Sequence, residues 1–141
     1  MNEIKIIIAG SRTYNDYSTV SNIVDHILRT KLYKKGYKPS DIEIVCGMAN
    51  GADTLGEHYA NSNGFAIHYF PAEWDKYGKS AGYIRNKQMA EYASYRKGYG
   101  ALIAFWDGNS KGTKHMIDLA KEYGLKVFVY NYMNNTWWMD N

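Results

Sequence analysis

The chain has 141 residues, 45% of them hydrophobic and 22% charged. That is the length of one domain and an ordinary globular composition, which excludes a disordered or collagen-like chain. Seventeen Lys and Arg against 14 Asp and Glu leave a net charge of +3, too mild for a duplex-DNA binder with a concentrated basic face. A small anionic ligand or a short single strand stays compatible. The single cysteine, Cys46, excludes an internal disulfide framework and a cysteine-based zinc site. The apolar start Ile4–Ile8 breaks at Gly10-Ser11-Arg12, so it does not read as a signal peptide, and no run is long enough to span a membrane. The expected location is the cytoplasm. Aromatic residues reach 16%, with 14 Tyr and 4 Trp, which suits either an aromatic-lined site or a well-anchored small core.

In chain order, Ile4–Ala9 is a short apolar run of the kind buried on both sheet faces. Val20, Ile23, Val24, Ile27 and Leu28 have helical spacing, with Asn15 or Asp16 as the cap and Gly36 and Pro39 ending the segment after it. Ile42–Cys46 predicts a second strand. Ala52, Leu55, Tyr59 and Ala60 share a helix face, and Gly64 is placed to end it in the left-handed conformation. Ala66–Phe70 predicts a third strand and Pro71–Lys79 a loop. A helix follows over about Ala81–Tyr95, then a strand over Ala101–Trp106. Thr113 opens a helix that carries Met116, Ile117, Ala120 and Tyr123 and ends at Gly124. Lys126–Tyr130 is the fifth strand, and residues 131–141 show no period and read as an irregular tail. Five strands alternating with four helices predict a single α/β domain over 1–141 with a parallel sheet between two helix layers. In such sheets ligands bind beyond the carboxyl ends of the strands.

Three of those ends are glycine turns. The first strand ends in Gly10-Ser11-Arg12, where Gly10 admits a ligand to the backbone, Ser11 offers a hydroxyl and Arg12 a planar fork for phosphate or carboxylate. The alternative is a glycine turn followed by a surface arginine. The second strand leads through Gly47 and Gly51-Ala52-Asp53 into a helix, which aims free N–H groups and the positive helix end at the sheet edge. The glycine spacing is neither the dinucleotide fingerprint nor a Walker loop. Asp53 reads first as an acid favoured in a first helical turn, and otherwise as a ribose ligand. The fourth strand leads through Asp107-Gly108 and Ser110-Lys111-Gly112-Thr113 into a helix. Arg85 and Asn86 fall in the first turns of another helix, where a cation opposes the helix dipole. Such a cost without visible structural return points to a ligand, the alternative being an ion pair with Glu91 or a neighbouring acid.

Taken together, Ile8–Arg12, Cys46–Asp53, Ala81–Met89 and Phe105–Thr113 resemble the YspA/YpsA-related branch of the SLOG superfamily, whose distant relatives include the Lonely-Guy phosphoribohydrolases and DNA-processing protein A. The resemblance implies a Rossmann-like three-layer sandwich with a five-stranded parallel sheet of order 3-2-1-4-5. It implies a nucleotide or nucleotide-derived ligand of the ADP-ribose or NAD kind, and a bacterial or phage origin. Carried over, the ligand residues are Gly10, Ser11, Arg12, Gly47, Gly51, Ala52, Asp53, Arg85, Asn86, Gly108, Gly112 and Thr113. No metal site and no resident cofactor is implied. Related proteins often pair, so a homodimer is one expected assembly.

Lonely-Guy enzymes release a base from a nucleotide with a motif Pro-Gly-Gly-x-Gly-Thr-x-x-Glu. This chain has Gly112-Thr113-Lys114-His115-Met116, with Met116 in place of the catalytic glutamate, and a thioether moves no proton. The expectation is therefore binding without that cleavage, as sensor, sponge or carrier. The alternatives are an N-glycosidase using Asp53, Glu57, Asp107 or His115, and a module for single-stranded nucleic acid. Glu57 and His58 otherwise read as helix surface, and so does His115. Trp74, Tyr77, Tyr83 and Trp106 are candidates for a base pocket. Trp106 reads equally as core, and Trp137-Trp138 as packing or a subunit contact.

Overall fold

β-Branched residues fill the first strand, and alternate side chains of a strand face opposite ways, so a sheet buried on both faces gains two cores from one run of sequence. The computed structural model describes residues 3–140. β1 (Ile4–Gly10) sends Ile6 and Ile8 to one face and Ile7 and Ala9 to the other. β2 (Ile42–Cys46), β3 (Ala66–Tyr69), β4 (Gly100–Trp106) and β5 (Lys126–Asn131) pair in parallel around it. Ile6 stands in register between Ile44 of β2 and Ala101 of β4.

Two helix layers cover the sheet. α1 (Tyr17–Ile27) and α2 (Ala52–Ser62) bring Val20, Val24 and Tyr59 onto Ile6, Ile8, Ile44 and Phe105. α4 (Ala81–Ala93) and α5 (Lys111–Glu122), introduced after the single turn α3 (Trp74–Tyr77), bring Met89, Met116 and Ile117 onto Ile7, Val45, Leu102 and Val127. Asp16 is the cap of α1, accepting the Thr19 amide at 3.1 Å and the Thr19 hydroxyl at 2.6 Å. Gly64 and Gly124 end α2 and α5 with φ of 73° and 76°. The Phe65 and Leu125 amides then reach back to the Ala60 and Ala120 carbonyls, satisfying helix ends as expected. The stretch 71–79, expected as a loop, contains α3, and α4 stops at Ala93 rather than Tyr95.

The sheet corrects one larger expectation. It has six strands in the order β3-β2-β1-β4-β5-β6, not five, and it is mixed rather than parallel. The tail is not irregular: β6 (Thr136–Asp140) folds back antiparallel on β5, pairing Trp138 with Val129 and Trp137 with Tyr130. Asparagines hold the hairpin turn. Asn131 Oδ1 accepts the Met133 amide, Asn134 Oδ1 accepts the Thr136 amide, and Asn135 takes φ 54°. An asparagine-rich turn is a hairpin signal. It was masked because large apolar residues face both ways on β6 and erase the alternation. No helix among the described residues is long and apolar enough to cross a membrane.

Candidate functional site

The winding reverses between β1 and β4: the crossovers from β1 to β2 to β3 lie on one face, and those from β3 to β4 to β5 lie on the other. The loops after β1 and β4 must diverge there, and a crevice opens between them. A cleft of about 430 Å³ occupies that place, within the range of small-molecule sites. Its walls come from the β1 end (Gly10, Ser11, Arg12), the starts of α2 and α4, and the loop and first turns of α5 (Gly112, Thr113, Met116).

Close interlocking fixes the three loops. The Ser11 amide donates to the Phe105 carbonyl, the Ser11 carbonyl accepts from Ala52, and the Ser11 hydroxyl accepts the Asp107 amide at 3.2 Å. A Cβ on Gly10 would overlap the Phe105 carbonyl oxygen and lie 2.8 Å from Ala52 Cβ. Gly51, at φ 76°, brings α2 so close that a Cβ would overlap the Ser11 carbonyl oxygen and lie 2.5 Å from the Arg12 carbonyl. Asp107 folds its own loop, accepting the Asn109 and Ser110 amides at 2.8 and 2.7 Å. Burial alone would raise its carboxyl, but these amides and the Ser11 hydroxyl outweigh it and hold the pKa below the usual aspartate value. The Asp107 carboxylate therefore anchors the turn and is a poor proton donor.

The charged centre is Arg85. It is 7% exposed. Its Nη1 donates to the Gly47 carbonyl and its Nε donates to Asn86 Oδ1 at 3.1 Å. Among the described residues no carboxylate lies within 4.0 Å of the guanidinium, so Glu91 is not its partner. Nη2 has no protein acceptor among them. A Cβ on Gly82 would lie 3.9 Å from Nη2 and 3.6 Å from the Trp74 ring, so the absence of a side chain there keeps the passage between them clear. Asp53 is the nearest acid in electrostatic effect. Burial pushes its carboxyl up to about 6, against the lowering pull of Arg85, the Ala49 amide (3.2 Å to Oδ2) and Arg12. It lines the same cleft. Asn86 is a clamp: it holds Arg85 through Oδ1, and its Nδ2 reaches the Gly112 carbonyl at 3.3 Å and His115 Nδ1 at 3.2 Å. With the Asn86 amide donating, His115 Nδ1 is the acceptor. Partial burial keeps the ring's pKa below the usual histidine value, and Tyr83 packs edge-on at 4.5 Å. His115 is thus half-buried in a fixed setting rather than a solvated face.

Of the residues expected at the site, Gly10, Ser11, Arg12, Asp53, Arg85, Asn86, Gly112 and Thr113 line the cleft. Gly47, Gly51, Ala52 and Gly108 do not. Gly47 supplies a carbonyl to Arg85, Gly51 and Ala52 pack α2 against the β1 end, and Gly108 packs close to Asn131. Trp74 and Tyr83 stand at the mouth, 49% and 47% exposed, with the Arg12 guanidinium 5.7 Å from the Trp74 ring centre. Tyr77 is outside the cleft. Trp106 is too, its indole N–H donating to the Ser110 carbonyl at 3.0 Å. Met116 is 1% exposed and forms part of the floor with Met89 and Ala9. Glu57 faces away and accepts the Tyr69 hydroxyl at 2.8 Å, while His58 stacks on Tyr17. Sequence reasoning missed Lys79 and Met89. Met89 lies one helical turn beyond Arg85 and Asn86, a spacing that could have found it. Among the described residues no group of three or more His, Cys, Asp or Glu gathers to hold a metal ion.

Comparison with known proteins agrees with this architecture. Residues 4–77 match the profile of a family described as YspA, cpYpsA-related SLOG. The Gene 61 protein of Mycobacterium phage D29 is 31% identical over 129 residues, covering 87% of this chain and 93% of that protein. Among solved structures, DNA processing protein A (DprA) from Streptococcus pneumoniae superposes with a TM-score of 0.63 at 16% identity. That likeness is one of fold. It covers 92% of this chain and 50% of the other, so the chain spans about half the length of DprA.

Proposed function

The chain belongs to the YspA, cpYpsA-related SLOG family, and from that premise we propose that its cleft binds a phosphorylated nucleotide or nucleotide-derived ligand of the ADP-ribose or NAD kind and returns it intact, as a sensor, sponge or carrier. Arg85 carries the reading. Removing a guanidinium from water costs several kcal/mol, which Asp53, coupled to Arg85 but beyond ion-pair distance, offsets only in part, and among the described residues Nη2 has no protein acceptor. α2, α4 and α5 all begin at the cleft, so their positive ends add to the same attraction. Gly112 and Thr113 belong to the first turn of α5, where backbone amides have no intrahelical partner. Arg12 adds a second cation, and Trp74 and Tyr83 offer flat faces to a base. The apolar floor of Met89 and Met116 argues against cleavage by the Lonely-Guy mechanism, since no carboxylate stands at that position.

The test is ligand-induced thermal stabilisation across mononucleotides, ADP-ribose, cyclic ADP-ribose variants, NAD and a short oligonucleotide. A ligand at a hundred times its dissociation constant adds about 2.7 kcal/mol, a shift of several degrees. Arg85→Ala is expected to weaken binding by at least about tenfold, which is one unit of 1.4 kcal/mol. Unchanged affinity would remove Arg85 from the site. Chromatography of each recovered ligand then decides its fate, and an intact ligand supports binding alone.

A second reading, N-glycosidic cleavage, draws on Asp53, the cleft carboxyl whose pKa of about 6 suits proton transfer near neutrality. Release of base and sugar phosphate, lost in Asp53→Asn, would establish it. The third, single-stranded nucleic acid, draws on the exposed aromatics and on a structural neighbour named for DNA processing. It predicts affinity that rises with oligonucleotide length and falls steeply with salt.

A further inference from the structure

The stripe of α1 that faces the sheet carries Val20, Val24 and Ile27, none more than 4% exposed. Beyond Ile27 the chain widens into a π turn, Leu28–Leu32, and tightens into a 3₁₀ turn, Tyr33–Lys35. Apolar residues on these turns would close the core. Lys31 and Lys35 stand there instead, and they line a second cavity of about 280 Å³. It lies at the amino ends of β1, β4 and β5, the far end of the sheet from the cleft, and shares no lining residue with the cleft. Its floor is apolar: Ile4, Ile6, Ile27, Ile103 and Phe128 are each at most 6% exposed. Exposed Lys31, Lys35 and Lys126 form the rim, and among the described residues no acid lines the cavity. None of the three lysines is in an ion pair among those residues. The negative end of a helix favours lysines nearby, which accounts for Lys31 and Lys35 but not for Lys126, which opens a strand. What the three share is one apolar cavity.

We infer that this cavity is a second binding site, for a small amphipathic anion: a straight-chain carboxylate whose alkyl body fills the floor and whose head lies on the lysines. The lining selects that chemistry. Isoleucine, leucine and phenylalanine side chains offer no hydrogen bond, and the Tyr99 hydroxyl is the one uncharged donor or acceptor among the lining side chains. A nucleobase would leave its polar edge unpaired there, and burying polar groups without partners is costly. An alkyl chain loses nothing and gains the full benefit of leaving water. The head must be negative, because the rim holds three ammonium groups and no counter-charge, and a buried tail ties the head to that rim. Size bounds the tail. Liquid water takes ~30 Å³ per molecule, close to the share of one methylene, so about 280 Å³ suits a chain of about eight to ten carbons. Met139, 46% exposed, lines the cavity from β6 and is flexible enough to adapt to such a chain. Occupation here leaves the cleft open, so this site stands or falls apart from the nucleotide reading.

Titration of the full chain with hexanoate, octanoate and decanoate, followed by backbone amide chemical shifts, tests this. Saturable shifts are expected at Gly98, Ala101 and Lys126, which line the cavity, and not at Arg12 or Gly112. Each added methylene should tighten binding about threefold to fourfold, and the gain should stop near about ten carbons. Decanol, with the same tail and no charge, should bind at least about tenfold more weakly than decanoate. Lys31→Glu combined with Lys35→Glu should weaken decanoate by at least the same factor, whereas Arg85→Ala should leave it unchanged. The chain-length series and the decanol comparison use the wild-type protein, so they decide the matter even if the glutamate variant folds poorly. No saturable shift up to about 5 mM decanoate overturns the proposal. So does affinity that ignores chain length, equal affinity for decanol, or shifts confined to the cleft. Displacement of decanoate by a short oligonucleotide but not by octanoate would assign the lysines to nucleic acid and overturn it as well.

Discussion

Single residues at this cleft divide into those that face a ligand and those that hold the frame, and residue type alone does not separate them. Ser11 offers a hydroxyl, yet that oxygen accepts the Asp107 amide and the Ser11 carbonyl accepts from Ala52. Asn86 offers an amide, yet both ends are engaged by Arg85, Gly112 and His115. Gly51 does not line the cleft but abuts Ser11 and Arg12 behind its wall and sets how closely α2 approaches the β1 end. Its φ of 76° is strained for any other residue, and a Cβ would overlap backbone rather than a flexible side chain. Gly51→Ala should therefore cost at least about 3 kcal/mol, combining backbone strain with overpacking. The midpoint of urea denaturation measures it, and a loss under about 1 kcal/mol would mean that the loop relaxes freely.

At the scale of elements, each helix is defined by its ends more than by its interior. α1 starts at Asp16 because the carboxylate satisfies the Thr19 amide that the helix leaves unpaired. Asp16→Ala should destabilise the protein by about 1 kcal/mol, read as a lowered thermal midpoint with an unchanged cleft. α2, α4 and α5 differ: none has a side-chain bond at its cap. All three begin at the cleft, but the Ala52 amide of α2 donates to the Ser11 carbonyl and the Ala81 amide of α4 to the Gly78 carbonyl, so the open first-turn amides are those of α5, at Gly112 and Thr113. The contrast between α1, capped by Asp16, and α5, whose start at the cleft has no side-chain cap, is a structural counterpart of the proposed anion site.

For the whole molecule, the buried acid links stability to pH. Asp53 has its folded pKa raised to about 6, from an ordinary 3.8, chiefly by burial. Below about pH 4 the carboxyl is protonated in both folded and unfolded chains and costs nothing. Between about 4 and 6 the unfolded chain loses its proton first, so stability falls as pH rises, and the penalty is complete above about 6. Its size is on the order of 3 kcal/mol. Asp53→Asn should remove it, giving a variant more stable than the parent at pH 7.5 and equal to it near pH 4. Denaturation curves at several pH values check this, and a difference that does not change with pH would contradict the assignment.

The sequence by itself determined the alternation of strands and helices, most helix ends and the carboxyl edge as the place for the cleft. Those features follow from local pattern: runs buried on both faces, helical spacing, a capping aspartate, and glycines at 64 and 124 that alone take the left-handed turn easily. The family resemblance added Gly10, Arg12, Asp53, Arg85 and Thr113 as residues of one site, and these line the cleft. Tertiary structure decided what each of them touches. It turned Gly51 and Ala52 into packing, engaged Ser11 and Asn86 in the frame, and left one nitrogen of Arg85 without a protein partner among the described residues. It put Met116 in the floor of the cleft. It also made a strand of the tail, because β5 would otherwise be an unpaired edge, and pairing is a non-local gain that no periodicity in residues 131–141 records.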